Sequence, residues 1–184
     1  MSGASVFPRF TTPRFILREI QQADIEAVYK GLSDPQVIRH YGVSFHSLEA
    51  TQVQMDWYRE LQEQSEGLWW GICRAETPDE LIGACGFNDW SIEHRHIELG
   101  YWLLPGFWRL GVMAECLPAI IRHAFTAMGV HRVEAVVEPE NVASTRVLEK
   151  LGFIHEGTRR ECELKQGRFL SLASYGLLVT EWGG

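Results

Sequence analysis

Two residues whose types suit ligand binding, Arg109 and Gly111, lie between a strand-like apolar run and a long amphipathic segment. In that segment the apolar residues recur three and four positions apart, which predicts a helix over residues 113–128. The first turn of a helix presents N–H groups without intrahelical acceptors and the positive end of the helix dipole, so it can bind a phosphate. Gly111 would allow close approach to the backbone, and Arg109 would add a positive charge. Loops that bind nothing share this pattern, and it is neither a G-x-x-x-x-G-K-[ST] nor a G-x-G-x-x-G motif.

A second segment, residues 138–153, has an ordinary structural explanation. Asn141 is a typical N-cap, Leu148 and Leu151 supply a buried stripe, and Gly152 is a typical stop signal. These features predict a helix over residues 142–151 without any ligand.

The remaining elements must position these two segments. Periodicity and turn residues predict two earlier helices, over residues 23–32 and from the N-cap Ser47 to about residue 64. Strands are predicted over residues 15–18, 69–74, 81–87, 96–104, 132–137, 156–164 and 169–179, with turns at 33–35, 77–79 and 165–167. A strand, helix and strand through residues 96–137 imply one parallel pair. The sequence therefore predicts an α/β (α+β) fold with a single mixed, mostly antiparallel central sheet and helices on both faces.

Composition narrows the class of protein. The 184 residues carry a formal net charge of −7, which argues against a nucleic-acid backbone binder. No linker or repeat divides the chain, so we expect one domain over residues 1–184. The four cysteines lack C-x-x-C spacing and indicate reduced thiols in a cytoplasmic protein. Neither a signal peptide nor a membrane span is predicted.

The two segments together resemble the GNAT superfamily of acyl-CoA-dependent N-acetyltransferases, and closely its RimJ/RimL-type branch. The superfamily's pyrophosphate loop, Q/R-x-x-G-x-G/A, corresponds here to residues 108–113, with Trp108 and Met113 as departures. The match N-x-x-S-x-x-V-L-E-K-L-G-F over residues 141–153 is more specific, and further matches lie at 12–18, 33–39 and 97–101. The resemblance implies the GNAT fold, acetyl-CoA as co-substrate, no metal, and an amine as acceptor.

The resemblance also implies where the coenzyme binds. The strand before the loop should diverge from its neighbour, so that free backbone groups of Trp102 and Leu103 bind the pantetheine arm. Asn141 should bond the pantetheine or the acetyl end. The pyrophosphate should lie on N–H groups from one continuous run: Arg109, Leu110, Gly111, Val112, Met113 and Ala114.

The catalytic residues implied by the resemblance are Ser144, Glu98 and Glu163. Many relatives place a tyrosine acid where this chain has Leu148, whereas the Rim-type branch uses the serine that matches Ser144. We interpret Ser144 as a hydrogen-bond donor to the departing sulfur. Glu98 and Glu163 are both candidates for the base that accepts the proton of the amine, or for an anchor of the substrate ammonium, and each has exposed-strand glutamate as its alternative.

The acceptor is the least determined part of this prediction. About a tenth of an α-amine with a pKa near 8 is neutral at pH 7, against roughly one in 2,500 for a lysine amine, so a protein or peptide N-terminus needs only modest help from a base. A small amine, such as an antibiotic, a polyamine or an amino acid derivative, is the alternative acceptor. A non-catalytic acyl-CoA-binding module and a homodimer also stay open.

Overall fold

The computed structural model describes residues 6–184, and its strands form one eight-stranded sheet in the order β1-β2-β3-β4-β5-β6-β8-β7. The strands are β1 (Phe10–Thr11), β2 (Phe15–Glu19), β3 (Leu68–Arg74), β4 (Thr77–Ser91), β5 (His96–Leu103), β6 (Arg132–Val137), β7 (Ile154–Lys165) and β8 (Arg168–Leu178). The helices are α1 (Ile25–Ser33), α2 (Pro35–Ile38), α3 (Leu48–Glu63), α4 (Val112–Thr126) and α5 (Val142–Lys150).

The pairing of the strands confirms the predicted sheet. Every neighbouring pair is antiparallel except β5 and β6, which are parallel and are connected through α4. A parallel pair needs such a crossover, because a tight hairpin can join only antiparallel strands.

Strand alternation divides the buried side chains between two faces of the sheet. Trp70 belongs to the core cluster that includes α4 and the α5 residue Leu148. Its neighbour Trp69 belongs to a second cluster, with residues of α1, α2 and α3. Successive side chains of a strand point to opposite faces, so helices cover both faces as predicted. We call these the α4 face and the α1 face.

The structure corrects two local predictions and adds one strand that was not predicted. The turn expected at residues 77–79 lies in β4, because Arg74 pairs directly with Thr77 and the chain reverses at residues 75–76. The turn expected at residues 33–35 leads into the short helix α2, since the Asp34 side chain accepts a hydrogen bond from the Gln36 N–H and caps it. The two-residue strand β1 is too short to leave a periodic pattern.

None of the helices within residues 6–184 combines the length and apolar character that crossing a bilayer requires.

Candidate active site

The parallel strands β5 and β6 pair over only three residues and then diverge. Their register joins His96 to Arg132, Ile97 to Val133 and Glu98 to Glu134. Beyond Glu98, β5 continues for five residues without a partner on this side, which is about 16 Å of extended chain. This wedge-shaped gap confirms the divergence that the family resemblance implies.

Backbone groups of β5 alternate between the gap and the neighbouring strand β4. The N–H of Leu104 donates to the Ile82 carbonyl across the β4 ladder, and Trp102 pairs with Ala84 two residues earlier. Because hydrogen-bonded residues alternate along an antiparallel ladder, the N–H and C=O of Trp102 point towards β4. The groups that point into the gap belong to Tyr101 and Leu103. The prediction for Trp102 is therefore replaced by Tyr101.

The carbonyl of Leu103 already has a partner within the chain. The Nε1–H of Trp108 donates to it over 2.8 Å, although the Trp108 side chain is exposed. The departure from the family's Gln or Arg at this position thus places an indole beside the end of β5. It leaves the N–H of Leu103 and both backbone groups of Tyr101 for a ligand in the gap.

The loop at the open end of the gap leads into the N-terminus of α4. Arg109 and Gly111 both have positive φ, of 62° and 74°, and Gly111 is the N-cap residue. The N–H of Glu115 donates to the Gly111 carbonyl and closes the first turn, so the amides that precede Glu115 in this helix lack intrahelical acceptors. Arg109, Leu110, Gly111 and Ala114 are exposed, whereas Val112 and Met113 are buried against the α4-face core.

A brace that the sequence analysis missed holds this loop in place. The carboxylate of Glu115, in the first turn of α4, accepts from Thr12 Oγ1 at 2.6 Å and from the N–H and Nε of Arg14 at 2.9 and 2.7 Å. Arg14 Nη1 also donates to the Leu110 carbonyl. Burial acts to raise the pKa of Glu115, but the bonds from Thr12 and Arg14 outweigh it and hold that pKa below its usual range. The match at residues 12–18 was the available signal.

Asn141 and Ser144 lie at the start of α5, beyond the end of β6. Asn141 caps the helix, since its Oδ1 accepts from the Ser144 N–H at 3.3 Å. The cap occupies the side-chain carbonyl, so the amide NH₂ stays available as a donor. Leu148 is fully buried in the α4-face core, so the position that matches the tyrosine of many relatives holds an apolar side chain with no proton to donate.

Tyr101 is a second residue that the sequence analysis missed. Its hydroxyl is buried and, within residues 6–184, has no hydrogen-bond partner of ordinary geometry. Burial raises the pKa of Tyr101 to about 12, and a hydrogen-bonding contact with the Ser144 side chain, looser than ordinary hydrogen-bond geometry, opposes part of that rise. A tyrosine in an apolar strand gives no sequence signal that distinguishes such a phenol from one in the core.

Glu98 lies at the closed end of the gap, as the last residue of β5 that pairs with β6. By alternation with Ile97 and Leu99, which belong to the α4-face core, its side chain points to the α1 face. Burial raises the pKa of Glu98 above its usual range, the carboxylates of Asp89 and Glu134 add to the rise, and Arg159 opposes it. A partly buried carboxylate among other carboxylates suits a proton acceptor or an anchor for a cation.

Glu163 lies away from this carboxylate group in the order of the sheet. It is exposed on β7, which is separated from β6 by β8, and it pairs with Leu170. The structure therefore does not bring Glu98 and Glu163 together on adjacent strands.

The tip of the β7–β8 hairpin forms one wall of a cavity of about 400 Å³. Lys165 Nζ donates to the carbonyls of Ile38, Arg39 and Tyr41, which ties the hairpin to the chain after α2. In the same cavity wall, His40 Nδ1 lies 2.6 Å from Glu138 Oε2. Within residues 6–184 no group of three His, Cys, Asp or Glu side chains is arranged to hold a metal ion.

Comparison with known proteins agrees with this geometry. A family model described as an acetyltransferase (GNAT) domain matches residues 14–154. The chain is 37% identical over 163 residues to the uncharacterized N-acetyltransferase YoaA of Bacillus subtilis (strain 168), and the match covers 88% of this chain and 92% of that protein. It is 26% identical over 184 residues to the ribosomal protein uS5-alanine N-acetyltransferase of Escherichia coli (strain K12), covering 95% and 92% of the two chains.

A solved structure shows the same fold with its ligands bound. The spermidine N-acetyltransferase from Vibrio cholerae, crystallised in complex with CoA and spermine, superposes with a TM-score of 0.80 over 91% of this chain and 96% of that chain. The two sequences are 17% identical, so the likeness is one of fold.

Proposed function

Since this chain belongs to the GNAT family of acetyltransferases, we propose that it transfers the acetyl group of acetyl-CoA to the α-amino group of a protein or peptide N-terminus. The observation that carries this proposal is the gap between β5 and β6, which opens towards the uncapped amides of α4. Acetyl-CoA supplies a thioester whose carbonyl carbon an amine attacks directly.

The coenzyme end of the gap has the donors that a diphosphate requires. The first-turn amides of α4 lie at the positive end of the helix dipole, the amides of Arg109 and Leu110 directly precede them, and Arg109 adds an exposed positive charge. Glu115 would repel a diphosphate, but its carboxylate is already bonded to Arg14 and Thr12. Along the gap, the N–H of Leu103, the backbone of Tyr101 and the NH₂ of Asn141 would bind the amides of pantetheine.

At the closed end, Glu98 is the better-placed candidate base. Its pKa is raised towards that of an α-ammonium, which lowers the free-energy cost of moving a proton from the ammonium to the carboxylate. The same carboxylate would remain far too weak a base for a lysine ammonium. This difference favours an N-terminal acceptor and supports Glu98 over Glu163, which we keep as the alternative base.

A polyamine or another small cationic amine is the second candidate acceptor. Asp89, Glu98 and Glu134 concentrate negative charge near the closed end, which would attract any amine with several positive charges. The spermidine acetyltransferase of the same fold shows that this architecture can serve such a substrate in another protein.

A thiol-release assay tests the proposal. Three acceptors are compared at equal concentration: a lysine-free peptide with a free N-terminus, an N-acetylated peptide that contains lysine, and spermidine. We expect CoA release with the first and little with the second. Because the exposed Cys162 also reacts with thiol reagents, an enzyme-only reaction supplies the baseline. Turnover on spermidine alone would replace the proposed acceptor, and coenzyme binding without turnover on any amine would contradict the proposal.

Glu98→Gln, with Glu93→Gln as an exposed control, tests the base. We expect the first variant to lower kcat by about 10²–10⁴-fold, with the largest loss at low pH where neutral amine is scarcest. If Glu98→Gln leaves the pH profile unchanged and Glu163→Gln reduces kcat in this way, the alternative base is the correct one.

A further inference from the structure

The hydroxyl of Tyr101 is buried on the strand that borders the gap. Among the residues that the structure describes it makes no hydrogen bond of ordinary geometry, only a looser contact with the Ser144 side chain. Buried hydroxyl groups in folded proteins nearly always have a hydrogen-bond partner, because leaving one unpaired is costly. An unpaired buried hydroxyl beside a ligand site is therefore a reason to look for the ligand atom that completes it.

The position of this hydroxyl is defined by two independent features. Tyr101 lies three residues beyond Glu98, in the part of β5 that has no partner on the β6 side. Its ring packs against the α4-face core. The polar group that affects its pKa is the side chain of Ser144, in the first turn of α5. Two hydroxyl groups from different elements thus meet on the α4 face of the gap.

The opposite face of the gap carries the candidate base. Glu98 and Tyr101 are three residues apart in a regular strand, so their side chains point to opposite faces. If a thioester lies in the gap between them, the side of its carbonyl carbon that the amine attacks would lie near Glu98, and its sulfur would point towards Tyr101 and Ser144.

We propose that the hydroxyls of Tyr101 and Ser144 together donate hydrogen bonds to the sulfur of CoA as it leaves. In the step, the C–N bond to the amine forms and the C–S bond breaks, the bonding electron pair stays on the sulfur as a thiolate, and the proton of the amine passes to Glu98 and then to solvent. Tyr101 in this way supplies a donor that Leu148 cannot supply from α5.

The acidity of the phenol decides between donation and outright proton transfer. With a pKa of about 12 for Tyr101 against about 8.5 for a free thiol, complete transfer to the thiolate is unfavourable by a factor of roughly 3,000. A serine hydroxyl is a weaker acid still. Both groups therefore stay protonated and stabilise the negative charge by hydrogen bonding, as donors of an oxyanion hole do.

The test is the ionisation of CoA bound to the protein, followed by the ultraviolet absorbance of the thiolate. Desulfo-CoA, which lacks the sulfur, supplies the blank for the protein's own thiols. We expect bound CoA to ionise at a lower pH than free CoA, and Tyr101→Phe to move the midpoint back by about one pH unit, since a hydrogen bond to a charged group is typically worth a factor of ten or more. This readout needs no acceptor, so it stays interpretable if the proposed acceptor is wrong.

Kinetics complete the test. Tyr101→Phe should lower kcat about 10- to 100-fold with little change in KM for acetyl-CoA, and Ser144→Ala should do the same. Tyr175→Phe is the matched control, because Tyr175 is a buried tyrosine of the same core that lies on β8, away from the gap. An unchanged midpoint and kcat in Tyr101→Phe would overturn the proposal. If that variant does not fold, an unchanged midpoint in Ser144→Ala would overturn it equally.

Discussion

A substitution at Gly111 tests whether the amides before α4 bind the coenzyme. Gly111 has φ = +74°, a conformation that costs a residue with a Cβ about 1–2 kcal/mol. A Cβ added there would lie 3.5 Å from Arg14 Nη2, an ordinary contact with the end of a flexible side chain. The cost of Gly111→Ala therefore comes from the backbone conformation and not from a clash.

Gly129 offers a matched control just beyond the other end of the same helix. It has φ = +67°, and a Cβ there would meet no atom within 4 Å. An alanine that keeps the positive φ destabilises the fold by this conformational cost, less the roughly 0.4–1 kcal/mol gained by restricting the unfolded chain. A net loss of about 1 kcal/mol lowers the Tm of a chain of this size by about 2–4 °C. Gly129→Ala should show this loss in full, whereas Gly111→Ala should show a smaller loss because the empty coenzyme loop can relax.

Only Gly111→Ala should affect acetyl-CoA. Because the empty loop of this variant can relax away from positive φ, most of the conformational cost does not appear in Tm. Binding must restore the conformation, and the cost of about 1–2 kcal/mol then appears as an increase in Kd of about 5- to 30-fold. Isothermal titration calorimetry measures Kd directly, and the rise of Tm with acetyl-CoA concentration gives an independent value.

Two results would refute this reasoning. An unchanged Kd in Gly111→Ala, together with a smaller loss of Tm than in Gly129→Ala, would mean that the loop relaxes without consequence for the coenzyme and that the amides of residues 109–114 do not bind the diphosphate. An equal increase of Kd in Gly129→Ala would mean that the effect is transmitted by general loosening of α4 and not by the loop.

Three further substitutions test the brace, the base and the acceptor wall. Glu115→Gln should lower Tm by about 2–4 °C above pH 5, since it weakens bonds worth about 1 kcal/mol net, and the difference should vanish as the pH falls through the lowered pKa of Glu115, where the wild-type carboxylate also loses its charge. Glu98→Gln should raise Tm while it lowers activity, because a raised pKa means that the charged form of Glu98 destabilises the fold. This destabilisation is complete above that pKa and absent below about pH 4, so the difference in Tm should be present at pH 8 and lost at pH 4. Lys165 ties together the wall of the cavity beside α2, our candidate acceptor wall. Lys165→Met should raise KM for the acceptor about 10-fold and leave KM for acetyl-CoA unchanged, with the exposed Lys150→Met as control; equal effects on both constants would contradict this assignment.

The sequence was sufficient for the longer elements, but not for the short elements α2 and β1 or for the directions of groups within a strand. The apolar spacing after Gly111 predicted α4 to within two residues at each end, because a helix covering a core must repeat its apolar positions every three to four residues. Strand β6 was predicted with the bounds that the structure shows for a similar reason, as a short run of β-branched residues. The assignment of Trp102 to the gap was replaced because it depended on which residues of β5 hydrogen-bond to β4, a matter of register that no local pattern reveals.

Long-range contacts explain what the sequence analysis missed. Thr12 and Glu115 are 103 residues apart, and neither residue type in its own segment predicts the other. Tyr101 was overlooked because a tyrosine among apolar strand residues is ordinarily part of a core. Only the divergence of β5 and β6 places its hydroxyl beside a gap, where it can act as a polar group as well as pack in the core.

The two faces of the sheet assign different tasks to different parts of the chain. On the α4 face, the residues that would meet the coenzyme sit on α4, α5 and β5, which share one core. Beside α2, the chain that follows this helix and the β7–β8 hairpin are joined by Lys165 and border the cavity that we propose receives the acceptor. We expect substitutions in residues 34–48 and 163–170 to change the acceptor without changing how acetyl-CoA is held. On this proposal the acceptor is recognised by a four-residue helix, the chain after it and a hairpin tip that meet only through long-range contacts, which is why sequence patterns define the coenzyme more sharply than the amine.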